Sequence, residues 1–335
     1  MTLDRVTIIG NTARGGDGTT GDKGAAGGGG INSTWISSGY DALLSVSNSI
    51  IADNVAEMGA GTNVTGGGGG GIWVQATEAD IVHTTVARNR VDSSMQGQGI
   101  LLIEVGSRGA RADVSYSIVA DHTGFGSRVA ALHVKPGNTV NLQRGLWSGN
   151  AKDTNADGSP APAGTFNGLT SMIIGLAGFV SPGAPDYDYH ILDDSAARDQ
   201  ATGSTTTTDM DGESRSLSGE PDIGADEYVP MVLSVYPVAS GTLHLSWQTN
   251  LSLVPGLDHY NIAFSYEPGA SPPDQGDSPV DAGTQTEYTL TGLSNYRRYT
   301  MTVEARDASD ALIANSNTVN RFPTDILTYL PLILR

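Results

Sequence analysis

The 335-residue chain contains no cysteine. Disulfides, cysteine nucleophiles and thiolate metal sites are therefore excluded. Basic residues are also scarce: 18 Lys and Arg stand against 36 Asp and Glu, giving a net charge of −18. Such a surface repels phosphate backbones and anionic bilayers, which excludes nucleic acid as a partner. It suits divalent cations and uncharged or cationic partners. No apolar run reaches the roughly 18–20 residues of a membrane span. No secretory leader opens the chain, because Met1–Gly10 already reads as strand. For an exported protein, this implies that residues upstream have been lost. Helical periodicity is convincing nowhere.

What the chain does have is glycine, 44 residues, near twice the usual share of about 7%. It also has repeats. One ten-residue block recurs without gaps as TLDRVTIIGN (Thr2–Asn11), SVSNSIIADN (Ser45–Asn54), DIVHTTVARN (Asp80–Asn89), DVSYSIVADH (Asp113–His122) and NLQRGLWSGN (Asn141–Asn150). Its last positions, Asn11, Asn54, Asn89, His122 and Asn150, are spaced 43, 35, 33 and 28 apart. A constant block with a variable period is the mark of stacked coils with loop insertions.

The columns of this alignment have physical meaning. The second holds Leu3, Val46, Ile81, Val114 and Leu142; the seventh holds Ile8, Ile51, Val86, Val119 and Trp147. Both are apolar and should stack inward, since no single repeat can bury that face alone. The tenth column is Asn in four of five blocks, which predicts a ladder of amides, each bonded to the next coil. A glycine-led element precedes the later blocks: Gly28–Ile31, Gly69–Ile72, Gly97–Ile100 and, degenerately, Ala130–Leu132. Each opens a short apolar strand. About five coils of parallel strands make a β-helix over residues 1–153.

These paired GGGI and xxxN elements resemble those of polymorphic outer-membrane and pectate-lyase-like proteins, whose fold is a right-handed parallel β-helix. Residues 154–228 lose the repeat. There the run Thr208–Tyr228 resembles the C-terminal part of bacterial β-helix proteins of the choice-of-anchor group. The matching positions are Asp209, Asp211, Gly212, Arg215, Pro221, Asp222, Ile223, Gly224, Ala225 and Glu227. The resemblance implies a bacterial surface protein in which this segment closes the end of the helix. Arg215 is expected to pair with Asp222 or Glu227.

Two acidic loops have metal-ligand spacing. Asp153, Asn155 and Asp157 alternate as Ca²⁺ ligands do, but the bidentate Glu that completes an EF-hand loop is replaced by Gly164. Asp209 and Asp211 form a shorter version. A structural Ca²⁺ and a solvated Asp/Gly turn both remain open at each loop, and no cofactor is required.

Residues 229–323 switch to alternating strands with turn signals. They resemble the fibronectin type III pattern, an antiparallel sandwich, with Trp247, Tyr260, Leu293 and Tyr299 in its core and Tyr299 as the corner tyrosine. No RGD tripeptide occurs. Residues 324–335 form an apolar tail. The whole is thus expected to be all-β.

Function is less constrained. Catalytic candidates on the outward columns are Asp80 and Asp113, as Ca²⁺ or substrate ligands, with His83, Tyr116 or Arg144 as base. The favoured reading is a non-catalytic, extracellular or cell-surface protein presenting a face to a polysaccharide or a surface protein. The alternatives are a fragment of a polysaccharide lyase or glycoside hydrolase, and a structural spacer.

Overall fold

The computed structural model describes the chain except residues 19–21, 25, 36–42, 61–62, 65–66, 93–94, 125–129, 157–162, 216–219, 252 and 326–335. The tail Ile326–Arg335 thus lies outside the described residues. Strands dominate, and the one helical element among the described residues is the 3₁₀ turn Leu169–Ser171. The chain divides into two compact units, Met1–Tyr228 and the unit that begins at Val229.

In the first unit the five blocks lie side by side as parallel strands. Leu3 pairs with Val46, Val46 with Ile81, Ile81 with Val114, and Val114 with Leu142. The seventh column is in register too, from Ile8 through Ile51, Val86 and Val119 to Trp147. Both columns share one hydrophobic core. A separate five-stranded parallel sheet is built from Ile31–Thr34, Ile72–Gln75, Ile100–Ile103, Leu132–Val134 and Thr154–Ala156. Stacking continues past the fifth block: Thr165–Asn167 pairs with the strand Thr139–Gln143, and Ile173–Ile174 with Leu146–Ser148.

Each block bends twice. The fourth column has positive φ throughout: Arg5 54°, Asn48 45°, His83 44°, Tyr116 48° and Arg144 46°. So has the ninth: Gly10 68°, Asp53 53°, Arg88 54°, Asp121 57° and Gly149 60°. A left-handed residue reverses the alternation of the strand around it. Each block therefore has an inward residue on both sides of the fourth-column bend.

The asparagine ladder ties neighbouring blocks together. Asn11 donates its backbone N–H and Nδ2 to Asn54 Oδ1, both at 3.0 Å. Asn54 repeats this to Asn89 Oδ1, at 3.0 and 3.1 Å. The same amides reach the seventh column, Asn54 Nδ2 to Ile8 O and Asn89 Nδ2 to Ile51 O, each at 2.8 Å. Glycine in the GGGI element follows from this packing. A Cβ on Gly71 would stand 2.8 Å from Gly99 O and 2.9 Å from Asn89 Nδ2.

The outer surface of the first unit has two characters. Before the fourth-column bend, the outward first column is polar: Thr2, Ser45, Asp80, Asp113 and Asn141. After it, the sixth column is Thr7, Ile50, Thr85, Ile118 and Leu146, and the eighth is small in all blocks but the first: Ile9, Ala52, Ala87, Ala120 and Ser148. Ile50, Thr85, Ile118 and Leu146 are nevertheless buried. Residues 175–215 and 220–228 cover this apolar flank. Ala177 N donates to Ser148 Oγ at 2.9 Å, Gly224 N to Tyr116 O at 2.8 Å, and Ala225 N to Thr85 Oγ1 at 3.2 Å. Arg215 Nη2 reaches Asn48 Oδ1 at 3.1 Å. The segment expected to close the end of the stack runs back along its side as a brace. The reason is the sixth column, a second apolar stripe that must be kept from water.

The second unit is an antiparallel sandwich. One sheet holds Met231–Ala239, Thr242–Thr249 and Glu287–Leu290. The other holds Val280–Gly283, His259–Tyr266, Tyr299–Arg306, Leu312–Asn315 and Val319–Arg321. Trp247, Tyr260, Leu293 and Tyr299 are all buried in its core. Tyr299 OH donates to Ser271 O at 2.7 Å and accepts from Ser294 N at 2.9 Å, which locks the corner.

Candidate functional site

The polar outer face of the first unit carries a continuous rung-to-rung ladder. Asp80 pairs in register with Asp113, Asp113 with Asn141, and Asn141 with Asn167. Asn141 Nδ2 donates to Asp113 Oδ1, and Asn167 Nδ2 donates to Asn141 Oδ1 at 2.8 Å. Arg111 grips the Asp113 carboxylate at 3.0 and 3.1 Å. Asp80 is exposed, and partial burial followed by the Asp113 charge raises its pKa. Two adjoining hollows of about 540 Å³ each lie on this face. Arg111 and Asn141 line both, Asp80 and Asp113 one of them. Of the ladder, Asp80 and Asp113 were candidates in the sequence. Asn167 was missed because its coil carries no repeat block. Arg111 stands two residues before Asp113, on the same strand face, and that offset was the available signal.

The fourth-column candidates are elsewhere. His83 and Tyr116 lie at the bend, beneath the brace, with rings stacked at 5.2 Å. His83 is fully buried and shares a 2.6 Å hydrogen bond between Nε2 and Ser204 Oγ. Burial, then the nearby Arg215 charge, lowers its pKa to about 3, so it is neutral. Arg144 is exposed at the same bend in the fifth block. The structure thus brings Asp80 and Asp113 together and seats His83 and Tyr116 in a separate, covered layer.

The ninth column forms a second polar cluster. Arg88 Nε donates to Asp53 Oδ1 at 3.0 Å, and Tyr189 OH donates to Asp53 Oδ2. Asp121 borders the same groove of about 550 Å³. Burial raises its pKa, partly offset by Arg88.

At the first acidic loop, Asp153 Oδ1 accepts from Asn150 Nδ2 at 3.1 Å and Asn155 Oδ1 from Lys152 Nζ at 2.6 Å. Asp157 lies outside the described residues. At the second loop the two aspartates face different ways. Asp209 is a backbone brace: Oδ1 accepts from Asp211 N and Glu213 N, at 3.0 and 2.8 Å, and Oδ2 from Glu227 N at 3.1 Å. Asp211 Oδ2 instead meets His190 Nε2 at 2.9 Å. The imidazole bond to Asp211, opposed by burial and helped by other nearby carboxylates, raises the His190 pKa to about 10. Burial, then Asp209 and Asp211, lifts Glu213 to about 7. Complete burial pushes Asp226 well up.

Beside this cluster Arg215 is almost wholly buried. It donates to the carbonyls of Asp222, Gly224 and Ala225 at 3.1, 2.9 and 2.9 Å, and its Nη1 lies 3.6 Å from Glu227 Oε2. Of the two expected partners, Glu227 forms the ion pair, and Asp222 contributes its carbonyl.

In the second unit, residues 229–317 match the fibronectin type III domain model. The sandwich is a fibronectin type III domain. Such a domain suggests a surface or extracellular role in binding or spacing. Among solved structures, the FN5 domain of Drosophila Lar is 18% identical at a TM-score of 0.21, over 28% of this chain and 90% of that one. A fibronectin type III domain from the human KIAA0970 protein is 21% identical at a TM-score of 0.22, over 30% of this chain and 78% of that one. No curated protein matches the chain. No helix among the described residues is long and apolar enough to cross a membrane.

Proposed function

We propose that residues 1–228 are a right-handed parallel β-helix whose polar face binds an uncharged or cationic polysaccharide, in a secreted or cell-surface bacterial protein. Parallel strands joined within one sheet cross over right-handedly in about 98% of cases, which supports the hand. The fibronectin type III domain serves as a stalk, and no cofactor is needed.

One observation carries the reading: the exposed ladder Asp80, Asp113, Asn141 and Asn167, with Arg111 beside it. Its rungs repeat at about 4.8 Å, and its amide and carboxylate groups match the donor and acceptor hydroxyls of successive sugar rings. The net charge of −18 disfavours acidic glycans.

A second reading, a fragment of a polysaccharide-active enzyme, is favoured by the raised pKa of Asp80 next to a second carboxylate. Two carboxyl groups whose pKa values are driven apart can divide acid and base roles. A glycan array with the full chain, joined to reducing-sugar and unsaturated-product assays with and without Ca²⁺, separates the readings. Binding without product supports the proposal. Product formation abolished by Asp80→Ala or Asp113→Ala overturns it in favour of the enzyme, and absence of any glycan binding leaves a spacer.

A further inference from the structure

The brace carries a cluster of ligating atoms remote in role from the polar ladder. His190, Asp211 and Asp226 each offer one ligand atom, and these atoms lie within 4.8 Å of one another. His190 stands on the strand Asp188–Ile191, Asp211 in the exposed turn after Asp209, and Asp226 in the buried run that follows Gly224. Residues far apart in sequence thus converge on one point. The donor set mixes a nitrogen with two carboxylates.

Three features point to a cation there. The first is Asp226, a carboxylate only 3% exposed. Its Oδ2 accepts one backbone N–H, from Ile191 at 2.8 Å, and among the described residues its Oδ1 has no hydrogen-bond partner. The neighbouring Arg215 pairs with Glu227, so the cationic group nearest this carboxylate is the His190 imidazole of the same cluster. A buried carboxylate held by one backbone donor has oxygen valence left for a further cationic partner. The second is spacing. His190 Nε2 and Asp211 Oδ2 are 2.9 Å apart, and two donors bound to one ion at about 2.1 Å each lie about 3.0 Å apart in octahedral and about 3.4 Å in tetrahedral geometry, so a small opening of this pair admits the ion. The third is orientation. His190 Nδ1 lies 2.6 Å from Asp188 Oδ1. A carboxylate on Nδ1 holds the ring so that Nε2, which bonds to Asp211, can ligate once its proton leaves.

We propose that His190 Nε2, Asp211 and Asp226 bind a divalent transition-metal ion of the Zn²⁺ class, with Asp188 orienting the imidazole. Ca²⁺ and Mg²⁺ favour all-oxygen shells, whereas an imidazole with carboxylates suits Zn²⁺, Mn²⁺ or Co²⁺. The exposed side of Asp211 gives the ion an entry path and leaves a position for water. Binding exchanges a proton for the ion at Nε2, so one proton leaves the imidazole for each ion taken up. The ion would tie the Asp188–Ile191 strand to the Asp209–Asp226 turns, which steadies the brace across the apolar flank.

The test titrates the full, chelator-treated chain with Zn²⁺, Co²⁺ and Ca²⁺ separately, by calorimetry and by the visible absorption of bound Co²⁺. The expected result is one saturable Zn²⁺ site, a Co²⁺ spectrum showing nitrogen and oxygen ligation, and far weaker Ca²⁺ binding. His190→Gln and Asp211→Asn should each weaken Zn²⁺ at least tenfold. Asp211 lies at the surface, so its variant keeps the test valid if His190→Gln fails to fold. Absence of saturable Zn²⁺ binding, unchanged affinity in Asp211→Asn, or Ca²⁺ binding as tight as Zn²⁺ overturns the proposal.

Discussion

The imidazole of His83 stacks on the phenol of Tyr116, ring planes 16° apart. They are fourth-column neighbours on adjacent coils, both at positive φ and both covered by the brace. Their role is to fill the bend. Tyr116→Ala should therefore cost about 3 kcal/mol, the scale of a large-to-small change at a buried aromatic. A urea melt measures the loss. Glycan binding by the folded variant should be unchanged, because the polar ladder lies on the other side of the bend.

The ladder of amides breaks at one rung. His122 takes the tenth column, where its Nδ1 meets Asn150 Oδ1 at 2.9 Å and its Nε2 is buried without a partner. Burial lowers its pKa to about 4, partly offset by the Asn150 bond. Above about 6.5 the ring is neutral in both folded and unfolded chains, so no stability is lost. As pH falls from there towards 4, the unfolded chain takes up a proton that the fold refuses, costing on the order of 3 kcal/mol. His122→Asn should remove that share of the acid limb and restore the rung. Denaturant melts from pH 7 to pH 4 should show a shallower decline than in the wild type.

Arg215 holds the brace together. Its removal breaks the buried contact with Glu227 and leaves several carbonyls without its donors. Arg215→Ala is expected to destabilise the first unit by about 3–5 kcal/mol, the usual cost of breaking a buried pair from one side. The fibronectin type III domain should melt as before, and calorimetry of the full chain can separate the two transitions.

Arg144 separates backbone from side-chain effects, because it is exposed at φ 46°. Arg144→Gly should be neutral or slightly stabilising, since glycine adopts this conformation freely. Arg144→Val should lose about 1–2 kcal/mol, because a β-branched residue resists it. Equal melting midpoints for the two variants would contradict a bend at this column.

The inward columns were legible because Val46, Ile81 and Val114 repeat one pattern at matched positions, and the Asn54–Asn89 ladder followed from the same alignment. Trp247 and Tyr299 were legible for the same reason in the sandwich. The fourth-column bends were not, because left-handed backbone is usually announced by glycine and here falls on Arg, Asn, His and Tyr. That disguise made His83 and Tyr116 look like outward polar residues. The flank was hidden as well. Ile50, Ile118 and Leu146 sit beside the inward column, and a strand with apolar residues on both faces marks a covered sheet. Asp209 read as a free ligand because sequence spacing says nothing of the three backbone amides it serves. His190 was invisible, since Asp211 and Asp226 lie 21 and 36 positions from it and share no motif with it.

The most direct test of the account is isothermal calorimetry of the full chain against the strongest neutral glycan from the array, in the wild type, Arg111→Ala and Asn141→Ala. The account predicts saturable heat in the wild type and at least tenfold weaker binding in both variants, each folded. Full affinity retained in the pair, with the heat abolished instead by changes in the fibronectin type III domain, would contradict it.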